Sequence, residues 1–230
     1  YCGHWWDRLI QRTVGLEGVL KVLYGGSAKL ADDPGFLTAA QELQKFPDND
    51  WFMDGFEGAD FTSAQAMFFQ DKAALIHMGS WLTSEMKDSI PTDFKLAVFD
   101  FPTYPGGKGD QGAMFGTSQG MNIPNPAKST SHKVNVEAAV EFLKRRTDKV
   151  ICTKAANDLA TVSPVRGVPA PPTVPGVDKA LEKAANATFI IYYYGIHWDV
   201  ALWAAWYPHV QALFLKKIKR LESLVFVQFL

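Results

Sequence analysis

Phe68-Phe69-Gln70-Asp71-Lys72-Ala73-Ala74-Leu75-Ile76-His77-Met78-Gly79-Ser80-Trp81 reads as four consecutive signals. An amphipathic helix ends, a tight polar turn follows, a short apolar run predicts a strand, and a glycine then delivers a tryptophan. An indole placed just past a strand end is suited to stack on a flat ligand. Upstream, Phe61-Thr62 opens the helix, with Ala64, Met67 and Phe68 on one face. Downstream, Trp81–Lys87 predicts a helix, Lys95–Phe99 a second strand, and Pro102–Asp110 a proline- and glycine-rich turn.

The outer segments continue this alternation. Leu9, Ile10, Val14, Leu16, Val19, Leu20 and Leu23 recur at helical spacing, with Gly15 and Gly18 allowing two short helices in place of one. Asp32-Asp33-Pro34 reads as an N-cap with proline in the first turn, opening a helix through Leu43. Asp48–Asp60 is acidic and aromatic, which predicts an exposed loop. Met121–Ile123 predicts a short strand. Val134–Leu143 and Asp148–Leu159 predict two helices. Ser163–Pro175 holds five prolines and reads as an extended crossover. Trp203, Tyr207, Val210, Phe214, Ile218 and Leu221 mark a long C-terminal helix bent at Pro208. Helices separated by short strands give an α/β chain.

Composition narrows the function. The chain has 230 residues, 47% hydrophobic and 20% charged, which is enough for a real core. A net charge of −1 gives no electrostatic footing for nucleic acid or an anionic membrane surface. Two cysteines, Cys2 and Cys152, are too few for a disulfide framework. No signal-peptide pattern is read in the residues present. The apolar stretch around Val200–Trp206 falls short of the about 20 residues that a membrane span needs, so a soluble protein is expected.

Enzyme and metal motifs fare poorly. The histidines His4, His77, His132, His197 and His209 form no i, i+4 pair and flank no cysteine pair, so no metal or cofactor is expected. Asp48-Asn49-Asp50 is followed by Phe52 and Met53, where a calcium loop needs a polar ligand and a glycine. Gly106-Gly107-Lys108-Gly109-Asp110 lacks the spacing of a phosphate loop and reads as a plain turn. Neither cysteine sits in a nucleophile context, and no carboxylate pair stands out. The Asn186-Ala187-Thr188 sequon carries little weight. Tryptophans are the better lead, with seven in the chain. Trp5, Trp6 and Trp81 lie outside any amphipathic stripe; Trp51, Trp203 and Trp206 are assigned to packing, and Trp198 to neither. Indoles cover the C–H faces of sugars while hydroxyls bond at the edges.

A resemblance then organises these signals. The opening stretch resembles the Phe-x-x-Gly-Lys-Ala-Ala-Met…Gly-x-Trp signature of the extracellular solute-binding proteins, family 1, that serve ABC sugar importers. Trp5-Trp6-Asp7-Arg8-Leu9-Ile10-Gln11-Arg12-Thr13-Val14-Gly15 resembles that family's Trp…Phe-Asp…Leu-x-x-Arg-Thr-x-Gly. Phe101-Pro102 with Gly106–Gly109 is similar to its Phe-Pro…Gly-Gly-x-Gly. Glu137–Lys144 is similar to its Glu-Ala-Ala-x-Glu-Phe-Leu-Lys helix, and Ser163–Val168 takes the place of its Leu/Ser-Pro-Val-x-x-Gly-Val crossover. These matches keep family order from Trp5 to Val168. Asp71 stands where the family has glycine. The residues after about Asn186, and the tail Ile218–Leu230, match poorly.

The resemblance implies an α/β, periplasmic-binding-protein-like (type II) fold of two lobes, incomplete here, with the second lobe mostly present. Residues 1–112 would begin the second lobe, 113–163 would return to the first, and 164–230 would finish the second. Hinge crossings would fall near Gln111–Gly116 and Val162–Arg166. A carbohydrate would bind in the interlobe cleft and be delivered to ABC transporter permease subunits, in the periplasm or at the cell surface. Membrane association would run only through a lipid anchor or the permease. Trp81 would be the stacking platform, Trp6 and Trp5 a second aromatic wall, and Ser118, Gln119 and Arg166 polar partners. Two rival readings are a secreted glycan-active enzyme, which needs a carboxylate pair roughly 5–10 Å apart, and a non-functional fragment of a binding protein.

Overall fold

A computed structural model describes residues 2–24, 28–117, 120–128, 135–172, 176–197 and 200–218. Gly15, with φ of 84°, splits the first predicted helix into α1 (Cys2–Thr13) and α2 (Gly15–Tyr24). α3 (Pro34–Asp48) starts as its sequence predicts: the Asp33 carboxylate accepts from the Gly35 amide at 2.8 Å, and Pro34 follows it. α4 (Phe61–Phe69) is capped by Asp60, which accepts from the Ser63 amide at 2.7 Å. α5 (Leu82–Glu85) is short. α6 (Val136–Arg146) and α7 (Lys149–Leu159) are capped by Asn135 and Asp148. α8 (Val177–Asn186) and α9 (Val200–Phe214) complete the helices, with Pro208 inside α9. Ile218 lies past the end of α9, and Leu221 lies outside the described residues. No described helix is long and apolar enough to cross a membrane.

The strand predictions need correction. Ala73–His77, Lys95–Phe99 and Met121–Ile123 form no strand. Among the described residues the only sheet is two short parallel strands, β1 (Met114–Phe115) and β2 (Ile190–Ile191). A strand is held by its neighbours, and these apolar runs lack a hydrogen-bonded partner strand among the described residues, leaving Leu75 and Phe99 exposed. The fold is a mostly helical α/β arrangement.

Two compact units result. The first comprises Tyr1–His77, Asp100–Gly116 and Asn186–Leu230; the second comprises Met78–Phe99 and Thr117–Ala185. These units change at other places than the lobe segments 1–112, 113–163 and 164–230. In the first unit α1 packs on α3 and α9. Trp6, Ile10, Phe36, Leu43 and Leu213 are fully buried there, and the small Ala39 and Ala40 let the helices approach. The second unit buries less: Ala160 and Val177 form a small cluster with Val162 and Ala170 against it.

One contact in the first unit explains two separate motifs. The turn Gly106–Gly109 closes the C-terminal end of α1, where helix carbonyls lack partners. Lys108 donates its amide to the Thr13 carbonyl and Gly109 to the Arg12 carbonyl, both at 3.2 Å, and Gln111 Nε2 adds a bond to Arg12 O at 2.9 Å. The approach requires glycine: a Cβ on Gly109 would stand 1.7 Å from the Gln11 carbonyl oxygen. In return the buried Arg12 guanidinium donates to the carbonyls of Phe101, Pro102, Asp110 and Ala113. The glycine turn thus cradles a helix terminus.

Candidate functional site

In the first unit, α1 carries the partly buried His4, Trp5 and Arg8. Trp5 is partly buried and meets Phe46, His77 and Phe101 edge-on, with ring centroids 4.7, 5.0 and 5.9 Å away. His4 meets the Tyr193 ring at 4.7 Å. The Arg8 guanidinium lies over the Phe115 ring, 4.3 Å from its centre. Burial, helped by the nearby Arg12, lowers the Arg8 pKa to about 10, so it stays charged near neutral pH. Burial, with the Arg8 charge adding to it, lowers His77 to about 3, so its imidazole is neutral. Arg8 Nε and His77 Nδ1 are buried without a hydrogen-bond partner among the described residues. What this cluster offers a ligand is the partly buried Trp5 ring, held by its aromatic neighbours. His4, Arg8, His77 and Tyr193 are not legible as site residues in the sequence, because isolated histidines and a helical arginine carry no local signal.

α1 also turns polar groups inward. Asp7 is 1% exposed and accepts from the Gly195 amide at 3.1 Å, while its Oδ1 has no hydrogen-bond partner among the described residues. The Tyr194 hydroxyl donates to Gln11 Oε1. Both bonds pin the turn 194–196, next to Tyr193, against α1.

The predicted site residues separate. Trp6 is 0% exposed, stacked on Phe36 and tilted against Trp206, so neither indole face is open to a ligand; it is a core residue. Trp5 sits in the cluster just described. In the second unit, Trp81 is partly buried and folds over Gly79, where an added Cβ would lie 2.1 Å from the indole. The Gly-x-Trp spacing therefore has a steric cause: only glycine lets the ring lie on the backbone two residues back. Arg166 is exposed, beside Gly167 in its left-handed conformation. Ser118, Gln119 and Trp198 lie outside the described residues. Trp206 packs in the core as expected and Trp203 stacks on Tyr207, but Trp51, also assigned to packing, is 62% exposed. Among the described residues no three His, Cys, Asp or Glu side chains gather as metal ligands would.

The sequence profile of the bacterial extracellular solute-binding proteins matches residues 5–149, more than half of the chain. The chain belongs to this family. Its match starts at Trp5 and runs through both halves of the α1–glycine turn contact and through Gly79-Ser80-Trp81. No curated protein sequence matches. Among solved structures, a chitin oligosaccharide binding protein is similar with a TM-score of 0.80 and 23% identity, over 99% of this chain and 55% of that one. A structure described under xylan utilization by the thermophilic bacterium Caldanaerobius polysaccharolyticus has a TM-score of 0.74 and 22% identity, over 99% of this chain and 58% of that one. At these identities the likeness establishes the fold of a solute-binding protein. This chain spans a little over half the length of those structures.

Proposed function

We propose that this chain captures a carbohydrate and hands it to the permease subunits of an ABC importer, as an extracytoplasmic protein of the periplasm or cell surface. The observation that carries this reading is Trp81, a partly exposed indole held by its contact with Gly79 in the family's own motif. A ring fixed in this way meets a sugar face with little conformational entropy left to lose. The binding of chitin oligosaccharide and the xylan context in the two structural neighbours' names support the same ligand class. Within the first unit Trp5, with Phe46, His77 and Phe101 around it, is a further proposed aromatic contact; Ser118, Gln119 and Arg166 remain proposed polar partners. The role is binding without catalysis, as family membership supports. The lobe assignment of 1–112, 113–163 and 164–230 is part of the proposal.

Isothermal titration with xylo- and chito-oligosaccharides tests it. Trp81→Ala is expected to weaken binding by about 1 kcal/mol, roughly fivefold, with the helical circular dichroism unchanged. Unchanged affinity removes Trp81 from the site. A chain that binds no saccharide while folded overturns the carbohydrate reading.

A further inference from the structure

Among the described tryptophans, Trp51 alone is mostly exposed. It is 62% exposed, although burying an indole is among the larger gains open to a side chain. Its backbone is nevertheless fixed. α3 ends in a Schellman motif: Asp50 takes φ of 53°, its amide donates to the Pro47 carbonyl at 3.2 Å, and the Trp51 amide donates to the Phe46 carbonyl at 3.0 Å. The hydrophobic contact that accompanies this motif is present, with the Trp51 and Phe46 rings edge to face at 5.4 Å. That contact asks only for an apolar side chain, and leucine would supply it. A tryptophan that keeps this contact and still leaves most of its surface in water has indole surface to offer a ligand.

Phe46 joins this indole to the cluster on α1. The same Phe46 ring meets Trp5 at 4.7 Å. Trp5 and Trp51 therefore lie no further apart than two ring contacts laid end to end, the length scale of two linked pyranose rings. Around Trp51 the loop carries the exposed Asp48, Asp50 and Asp54, whose carboxylates accept hydrogen bonds from hydroxyls. Asp50 is steadied by Lys216 at 2.8 Å.

We infer that Trp51 is an outer stacking subsite, so that the ligand is an oligosaccharide extending past Trp5 and not a single sugar. This rests on the carbohydrate reading above and makes it narrower. Titration of the chain with xylose, xylobiose, xylotetraose and the matching chito-oligosaccharide series reads it out. In the parent chain, affinity is expected to rise with chain length. Trp51→Leu, which keeps the contact with Phe46, is expected to lower tetrasaccharide affinity roughly fivefold and to leave monosaccharide affinity and the unfolding midpoint unchanged. Equal tetrasaccharide affinity in parent and Trp51→Leu overturns the subsite. So does a loss of stability in Trp51→Leu with no change in binding, which makes the indole a helix-end staple only. Concentration-dependent self-association that Trp51→Leu abolishes also overturns it, by assigning the face to a second copy of the chain. If no saccharide of any length binds the parent, the underlying carbohydrate reading fails, and that result is distinct from binding that does not depend on length.

Discussion

Asp7 and His77 are titratable side chains held in environments that disfavour their charged forms, and their effects on stability run in opposite directions. Burial pushes Asp7 up to about 7 from an ordinary 3.8, against the two backbone amides and Arg8 that favour its charge. The unfolded chain therefore releases this proton near pH 4 while the folded chain keeps it. Between about pH 4 and 7 the folded state binds more protons, so Asp7 lowers stability as pH rises, by about 4 kcal/mol at most once the window is crossed. His77, lowered to about 3, does the reverse: its unfolded form gains a proton below about 6.5 that the folded form refuses, so stability falls as pH drops. Where the windows overlap, the two slopes oppose. Asp7→Asn keeps an acceptor for the Gly195 amide and removes the ionisation. Urea denaturation of Asp7→Asn and parent across pH 4–8 is expected to give a difference in stability that grows in favour of the variant with pH, by about 1.4 kcal/mol per pH unit between the two Asp7 values. Parallel profiles would show that folding does not raise the Asp7 pKa.

Helix ends and helix contacts were readable from sequence to very different degrees. Asp33-Pro34 announced α3 because an N-cap is a local device, and Gly15 announced the break after α1 for the same reason. Asp71, where the family has glycine, adopts φ of 59°, so the family's preference is itself a backbone requirement that aspartate tolerates. The sequence also displayed Arg12-Thr13 and Gly106–Gly109 as two unrelated motifs. Their meeting lies some ninety residues apart in sequence, and no periodicity reports it. The same limit explains the tryptophans. Trp6, Trp51 and Trp81 look alike as letters, and only packing puts one in the core, one in water and one over a glycine. The α1–turn contact makes a sharp prediction. Gly109→Ala places a methyl 1.7 Å from a backbone carbonyl, so the turn must leave the helix end and expose or orphan the carbonyls of Arg12 and Thr13. A loss of roughly 3 kcal/mol or more in chemical denaturation is expected. Gly106→Ala, with open space around its Cβ but φ of 79°, is expected to cost only about 1 kcal/mol. Equal costs at the two positions would mean that the turn does not grip α1.

Across the whole chain, apolar burial is unevenly shared. The first unit gathers fifteen buried hydrophobic residues in one cluster. In the second, no residue of α6 is buried, and Phe142, Val150, Ile151 and Leu159 are 56, 78, 44 and 54% exposed. Burial is the dominant favourable contribution to folding, so a unit that leaves these side chains in water has little to set against chain entropy. The two units should therefore unfold at different denaturant concentrations, with the second going first. The tryptophans provide the means to see it. Of the six that are described, five (Trp5, Trp6, Trp51, Trp203 and Trp206) belong to the first unit and only Trp81 to the second. Circular dichroism samples helices of both units, whereas indole fluorescence mainly samples the first. The circular dichroism transition in urea is expected to begin earlier than the fluorescence transition. Phe142→Asp, which removes an exposed ring from α6 and costs no core packing, should reduce binding of a hydrophobic dye without moving the fluorescence midpoint. Coincident transitions would show that the second unit is stabilised as strongly as the first, despite the apolar surface on α6 and α7.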